Sequence, residues 1–450
     1  MEGDAVFDRL WDRVETVEFD DLDPDTIDTA ALRIFDSIAV SIRALEEKPI
    51  QRVTMLASKK SSDTPANILG TDVQSSLEFA TFANCAMMRY LDWNDTYLQT
   101  EAAHPSGNIG AILAAADACD LSGREVILAT VLSYDIQCRL CDLANFTDNG
   151  FDHVNYGLVS VPLALAKLLE LDRKEARDAT SIAATAHLGL LQARQPPISE
   201  WKGYAFANAA RNGVISVEMA IAGIHGPADP FLGTNGINSV LNRPLDPHDI
   251  TFEDGFAVNQ THLKRYPICH HILSGIDAVA ALRKRHDIDW REIEGVDVWT
   301  YDVAIRVAGD EEKWRPTTRG TADHSIPYCL ARYLIDGRIE LEDLDGPALS
   351  EPDVVELMDR IEVHHDESFT TMYGESFPHR VVIDTGDDKY EETVKNPLGH
   401  VDNPLDWKDV AEKLPEQDTT ALQGIVESLD ERDRLDALFE EANALSEDQS

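Results

Sequence analysis

The sequence predicts a mainly α protein with a second, α+β domain, and three observations carry that prediction. Apolar residues recur three and four apart almost without a break to about residue 225, period-two alternation enters after about residue 265, and helical spacing returns from Asn403 to Leu445. A chain of 450 residues also exceeds the size at which one core stops growing, about 250 to 300 residues. The expected division is a helical domain over 1–264, an α+β domain over 265–402, and a tail, 403–450, that packs back on the first domain.

Taken in order, the helical pattern separates into Ala5–Val17, Pro24–Leu45, Val73–Leu91, Ser106–Cys119, Arg124–Leu143, Leu158–Leu169, Arg173–Leu190 and Tyr204–Ile224. Asp23-Pro24 is an N-cap followed by a first helical residue, and Gly226-Pro227 reads as a stop after the last of these helices. Several of the helices are rich in Ala and Ser, which lets backbones approach closely. In the second domain Gly295–Val307 alternates as a strand would, Arg360–His364 repeats that texture, and Arg380–Val394 reads as two strands around the turn Gly386-Asp387-Asp388. Helices are expected at Ser325–Ile335 and Glu351–Met358, and Ser446–Ser450 reads as a loose end.

Charge narrows the partners. With 82 acidic against 39 basic residues the net charge is −43, and the basic side holds 13 Lys against 26 Arg. Such a surface repels itself in dilute buffer, and molar salt screens the repulsion to a few ångströms, so adaptation to high salt is expected. Nucleic acid and anionic membranes need a basic footprint that this field opposes. Met1–Leu10 carries acids and no apolar segment of signal-sequence length, and no run reaches 18 uninterrupted apolar residues, which predicts a cytoplasmic protein. The six cysteines are scattered, as in a reducing compartment. Cys138 and Cys141 form one CxxC pair inside a helical segment, where i,i+3 spacing puts two small side chains on one face, and packing explains them better than a metal does.

Polar chemistry concentrates at Asp92-Trp93-Asn94-Asp95-Thr96 and, eight residues on, His104-Pro105-Ser106-Gly107-Asn108. Proline suits a first helical position, so His104 is expected at the mouth of a helix, where amides attract an anion and an imidazole can exchange a proton with it. Two segments have shed their acids. Gly255–Ile276 contains none, where about four would be expected at this composition, yet it keeps His262, Lys264, Arg265, His270 and His271. Ala183–Val217 has Glu200 as its only acid and keeps Arg194, Lys202 and Arg211. Retained cations of this kind suggest walls of a cleft for an anion, because burial alone would penalise them.

The runs Arg89–Thr96, His104–Asn108, Lys264-Arg265-Tyr266-Pro267, Asp323-His324-Ser325-Ile326-Pro327-Tyr328, Tyr373–Pro378 and Gly399–Leu405 together resemble the MmgE/PrpD family. That resemblance implies a helical domain built from both chain ends, an inserted α+β lid, a homodimer, and chemistry on a small polycarboxylate without metal or organic cofactor. It carries the family's site onto Asp92, Thr96, His104, Lys202, Lys264 and Tyr328, with His153 in Phe151-Asp152-His153-Val154. The Leu91–Thr96 run, Asp152-His153-Val154 and His271, four residues past Pro267, lean toward the family's methylcitrate dehydratases; Gly107 leans toward its decarboxylases, whereas Cys269 stands where those have a histidine.

The implied reaction is dehydration of 2-methylcitrate to 2-methyl-cis-aconitate, which needs a base, an acid for the departing hydroxyl and cations for the carboxylates. Lys202, Lys264 and Arg265 are expected on carboxylates together with Thr96, His153 and the amides after His104. His104 and His271 are the expected acid/base pair, Tyr328 a donor to the leaving oxygen, and Asp92 a partner for an imidazole or a substrate hydroxyl. Alternatives are cis-aconitate decarboxylation, iminodisuccinate epimerisation, or a non-catalytic binding protein. His270 or His271 is expected to be structural, and His364, His365 and His400 to be surface or strand residues.

Overall fold

The computed structural model describes residues 3–195, 198–415 and 417–447. The chain divides into two units, Met1–Thr261 with Asp406–Ser450, and His262–Leu405. The fold is mainly α, with the sheet that matters confined to the second unit.

The first unit begins with α1 (Ala5–Thr16), α2 (Pro24–Ala44) and α3 (Lys48–Ala57). Asp4 caps α1 by accepting from the amides of Val6 and Phe7, and its second oxygen accepts from Phe231 and Leu232 at 2.8 and 3.0 Å, tying a distant loop to the helix start. Asp23 caps α2 through the Thr26 amide at 2.9 Å. From Ala30 to Ile42, α2 is buried on every side; its serines are accommodated because Ser37 and Ser41 each donate to the carbonyl four residues back at 2.7 Å. The sequence reading passed over α3, although Ile50, Val53 and Ala57 give it a buried stripe.

Two short strands, β1 (Ala66–Asn67) and β2 (Gln74–Ser75), pair antiparallel before α4 (Leu77–Tyr90), so the helix expected from Val73 starts four residues later. A second small ladder, β3 (Tyr97–Leu98) with β4 (Ala102–Ala103), leads into a 3-10 turn, Pro105–Asn108, that continues as α5 (Ile109–Ala118). Then follow α6 (Gly123–Leu143), α7 (Gly157–Leu168), α8 (Arg173–Ala186) and α9 (Trp201–Ile221). Glycines let these helices close. A Cβ on Gly110 would lie 2.7 Å from the Cys85 backbone nitrogen of α4, and one on Gly107 would lie 2.5 Å from the Phe206 ring of α9. That packing gives Gly107 a structural reason of its own. Cys138 and Cys141 sit buried in α6, where burial pushes both thiols well above their ordinary range.

In the second unit α10 (His270–Arg285) precedes β5 (Gly295–Thr300), α11 (Asp302–Ala308), α12 (Arg319–Ala322), α13 (Ile326–Asp336), α14 (Pro352–Met358), β6 (Ile361–His365), α15 (Glu367–Thr370), β7 (His379–Asp384) and β8 (Lys389–Val394). The sheet order is β6-β5-β7-β8, with β5 and β6 parallel and the other pairs antiparallel. Strict alternation of burial along β5 and β7 puts Val296, Val298, Val381 and Ile383 into one core with Ile272, Ile276 and Leu330 from α10 and α13. Gly386, at φ +81°, makes the hairpin turn between β7 and β8. The strand expected over Gly295–Val307 is half helix: after Tyr301 the chain turns into α11, which buries Ala304 and Ala308 four residues apart.

The segment that returns to the first unit forms α16 (Trp407–Ala411), α17 (Thr420–Glu427) and α18 (Asp436–Glu447). Lys413 is buried there and forms an ion pair with the buried Asp36 of α2, while donating to the Trp93 carbonyl at 3.0 Å. Ser446, expected to be loose, lies in α18 and donates to the Gly70 carbonyl at 2.7 Å; residues 448–450 lie outside the described residues. No helix among the described residues is long and apolar enough to cross a membrane.

Candidate active site

Asp92 ends α4 in the left-handed conformation, φ +52°, a strained setting for a residue other than glycine. Its side chain nonetheless does more than close a helix. One carboxylate oxygen accepts from the buried Arg89 guanidinium at 2.6 Å, and the other lies 3.7 Å from Lys202 Nζ. Lys202 is the second residue of α9, where the positive end of the helix dipole disfavours a cation, so Asp92 supplies the field that holds it there. Thr96 is buried, and its hydroxyl has no hydrogen-bond partner among the described residues, so it does not bond its own turn.

His104 stands immediately before the 3-10 turn Pro105–Asn108. Its Nδ1–H donates to the Asp95 carbonyl at 2.7 Å, which fixes the tautomer of the neutral ring and makes Nε2 the basic nitrogen. The helix mouth differs from expectation. The Asp95 carboxylate already occupies it, accepting from the Ser106 amide at 3.1 Å and from the Ser106 hydroxyl at 2.6 Å. An internal carboxyl group, its pKa raised by burial against the Ser106 hydrogen bonds, therefore sits where a substrate carboxylate is expected to meet the Ser106 amide.

The His153 ring lies edge-on to His104, with centroids 5.8 Å apart. Burial, reinforced by Arg194 and opposed by Asp152, lowers its pKa to about 3, so it is neutral at ordinary pH. Burial works against ionisation of Asp152, but Arg194 and His153 outweigh it and hold the carboxyl below its usual range. The first unit thus brings together Asp92, Lys202, His104 and His153, and adds Arg89, Asp152 and Arg194, which the site expectations left out. The sequence marks Arg194 only as a cation kept in an acid-poor stretch and Arg89 and Asp152 only as members of longer runs; the ion pairs are what assign the three to this site.

In the second unit, Lys264 is buried at 1% exposure, whereas Arg265 is exposed and lies over the Tyr266 ring. His271, in the first turn of α10, shares a 2.6 Å hydrogen bond between Nδ1 and the Tyr301 hydroxyl. Burial, with His324, His379, Lys264 and Arg306 nearby, lowers its pKa to about 3. His270 has both ring nitrogens buried without a partner among the described residues, and its ring stacks on His262. His400 is buried rather than superficial, 4.5 Å from His262 in a stack of rings, whereas His364 and His365 do lie on a strand, β6. Tyr328 belongs to the apolar core, and its hydroxyl donates to the Asp343 carbonyl. Protonating a leaving group would require that bond to break.

The sequence profile of the MmgE/PrpD N-terminal domain matches residues 8–249, and that of the MmgE/PrpD C-terminal domain matches 266–432. The chain is 25% identical over 406 residues to the 2-methylcitrate dehydratase of Escherichia coli (strain K12), covering 83% of this chain and 82% of that one. It is 28% identical over 359 residues to the 2-methylcitrate dehydratase of Cupriavidus necator, covering 74% and 73%. A fungal alkylcitrate dehydratase, phiI, is 25% identical over 431 residues, covering 87% and 83%. With both domain profiles matched in order across most of its length, this chain belongs to the MmgE/PrpD family.

Proposed function

We propose that the chain is a hydro-lyase that dehydrates 2-methylcitrate, or a similarly alkylated tricarboxylate, by side-chain acid/base chemistry without metal or organic cofactor. One observation carries the reading: a buried carboxylate, Asp92, lies between Arg89 and Lys202, in a setting whose imidazoles include the neutral His153. The relatives named as 2-methylcitrate and alkylcitrate dehydratases support the substrate class.

In this reading an imidazole, His104 through Nε2, takes a proton from the carbon beside a substrate carboxylate. The freed electron pair forms the double bond, and the hydroxyl on the neighbouring carbon leaves with a second proton as water. Lys202 offsets charge that builds on the carboxylate, and Asp92, 3.7 Å away, keeps that lysine aimed. Thr96, with its buried unpartnered hydroxyl, suits a substrate oxygen. From the second unit, Lys264 and Arg265 remain proposed carboxylate ligands, His271 the proposed partner acid or base, and Tyr328 the proposed donor. The proposal extends to a cytoplasmic homodimer that works in high salt.

The test incubates the purified protein in molar salt with 2-methylcitrate, citrate, cis-aconitate and iminodisuccinate, following enoate absorbance and carbon dioxide together. Enoate formed from 2-methylcitrate without gas is expected. Carbon dioxide from cis-aconitate, with 2-methylcitrate inert, would overturn the assignment.

A further inference from the structure

We propose that Arg194 is a carboxylate-binding residue of the first unit, and that it gives the site its preference for ligands with a third carboxylate. This rests on the polycarboxylate reading above and names a residue that reading did not contain.

Arg194 ends a 3-10 turn, Leu191–Arg194, that is pinned to the segment carrying His153. The Leu191 amide donates to the Gly150 carbonyl at 3.0 Å and the Asp152 amide to the Gly189 carbonyl at 3.0 Å. Asn155 closes the junction, accepting from the Gly189 amide at 2.7 Å and donating to the Gly189 carbonyl at 3.0 Å. The guanidinium is thereby held in place, yet its donors are only partly used. Nε donates to both oxygens of Asp152, at 3.0 and 3.2 Å, while Nη2 is buried and has no hydrogen-bond partner among the described residues. A buried donor on a cation is costly to leave unmade, so this half-satisfied fork is best explained by an acceptor that arrives with the ligand.

The neighbouring charges are consistent with this. Arg194, Asp152, Arg89 and Asp92 all act on His153, and they are linked as Arg89–Asp92–Lys202 and Arg194–Asp152. Arg194 differs from Lys202 in kind: its planar fork suits two-point recognition of a carboxylate, whereas an ammonium acts as a point charge.

The experiment measures calorimetric binding, in high salt, of two unreactive ligands, tricarballylate with three carboxylates and glutarate with two, to the wild-type protein, Arg194→Gln and Arg194→Lys. The wild type is expected to prefer tricarballylate. Arg194→Gln should lose at least tenfold in tricarballylate affinity, with glutarate affinity held within twofold, and Arg194→Lys should recover part of the loss. Equal weakening of both ligands in Arg194→Gln would mark a role in positioning the loop and overturn the proposal, as would wild-type affinity for both. Wild-type protein that binds neither ligand would overturn the polycarboxylate reading itself. Should Arg194→Gln not fold, Arg194→Lys against wild type carries the same comparison.

Discussion

At the scale of single residues, the sequence marked His104, Asp92 and Lys202 through local motifs, because helix punctuation and the scarcity of acids leave traces in linear order. It marked Arg194 only as a cation kept in an acid-poor stretch and Arg89 and Asp152 only as members of longer runs, without a role; their place comes from ion pairs, two of which close across the gap between residues 92 and 202 and between 152 and 194. Nor did it foresee that the Asp95 carboxyl group fills the helix mouth, since the same Pro-Ser-Gly-Asn spacing serves an internal carboxyl group as well as an external anion. His104→Ala is the decisive substitution at this scale. It removes the proposed base while leaving the Asp95–Ser106 bonds intact, and turnover of 2-methylcitrate should fall by about 10² to 10⁴-fold with the melting temperature little changed. Steady-state rates beside a thermal melt check it, and retained turnover would remove His104 from the chemistry.

At the scale of elements, long helices and the β7–β8 hairpin were legible because periodicity and turn residues are local properties. The misreadings came where a tertiary partner decides: β2 exists because β1 lies beside it, and Tyr301 ends β5 where period-two spacing would have run on. The link between α2 and the tail is of the same kind. Lys413 and Asp36 are both almost wholly buried, at side-chain exposures of 2% and 1%, so each depends on the other for neutralisation. Lys413→Met strands the Asp36 carboxylate and should cost about 3 to 5 kcal/mol, whereas pairing it with Asp36→Leu should recover most of that loss. Urea denaturation at fixed salt measures both.

At the scale of the whole molecule, protons and salt act on opposite parts of the structure. His153 and His271 have pKa values near 3 and His379 near 4, against about 6.5 in an unfolded chain. Between those limits the unfolded state binds more protons, so stability is complete above about pH 6.5 and is lost as pH falls, by up to about 1.4 kcal/mol per pH unit for each histidine. Asp277, raised to about 6 by burial, works the other way between about pH 4 and 6, as do the buried carboxyls of Asp95, Glu101, Asp117, Asp135, Asp142 and Glu218, while burial also lowers His187, His270 and His400 on the histidine side. Melting temperature against pH from 7.5 to 5 should therefore decline, and His379→Leu should flatten the slope. The surface charge of −43 makes the complementary prediction that dialysis into low salt loosens the fold, read by circular dichroism; unchanged folding would count against halophilic adaptation. Because the Asp95 carboxyl group already takes the Ser106 amide and hydroxyl, the proposed capture of a polyanion leans on side-chain cations. In the proposed reading dissolved chloride competes for those same cations, so salt that screens the charge of −43 also weakens the grip on a polycarboxylate. Catalytic efficiency should accordingly peak at an intermediate salinity rather than climb steadily toward saturation.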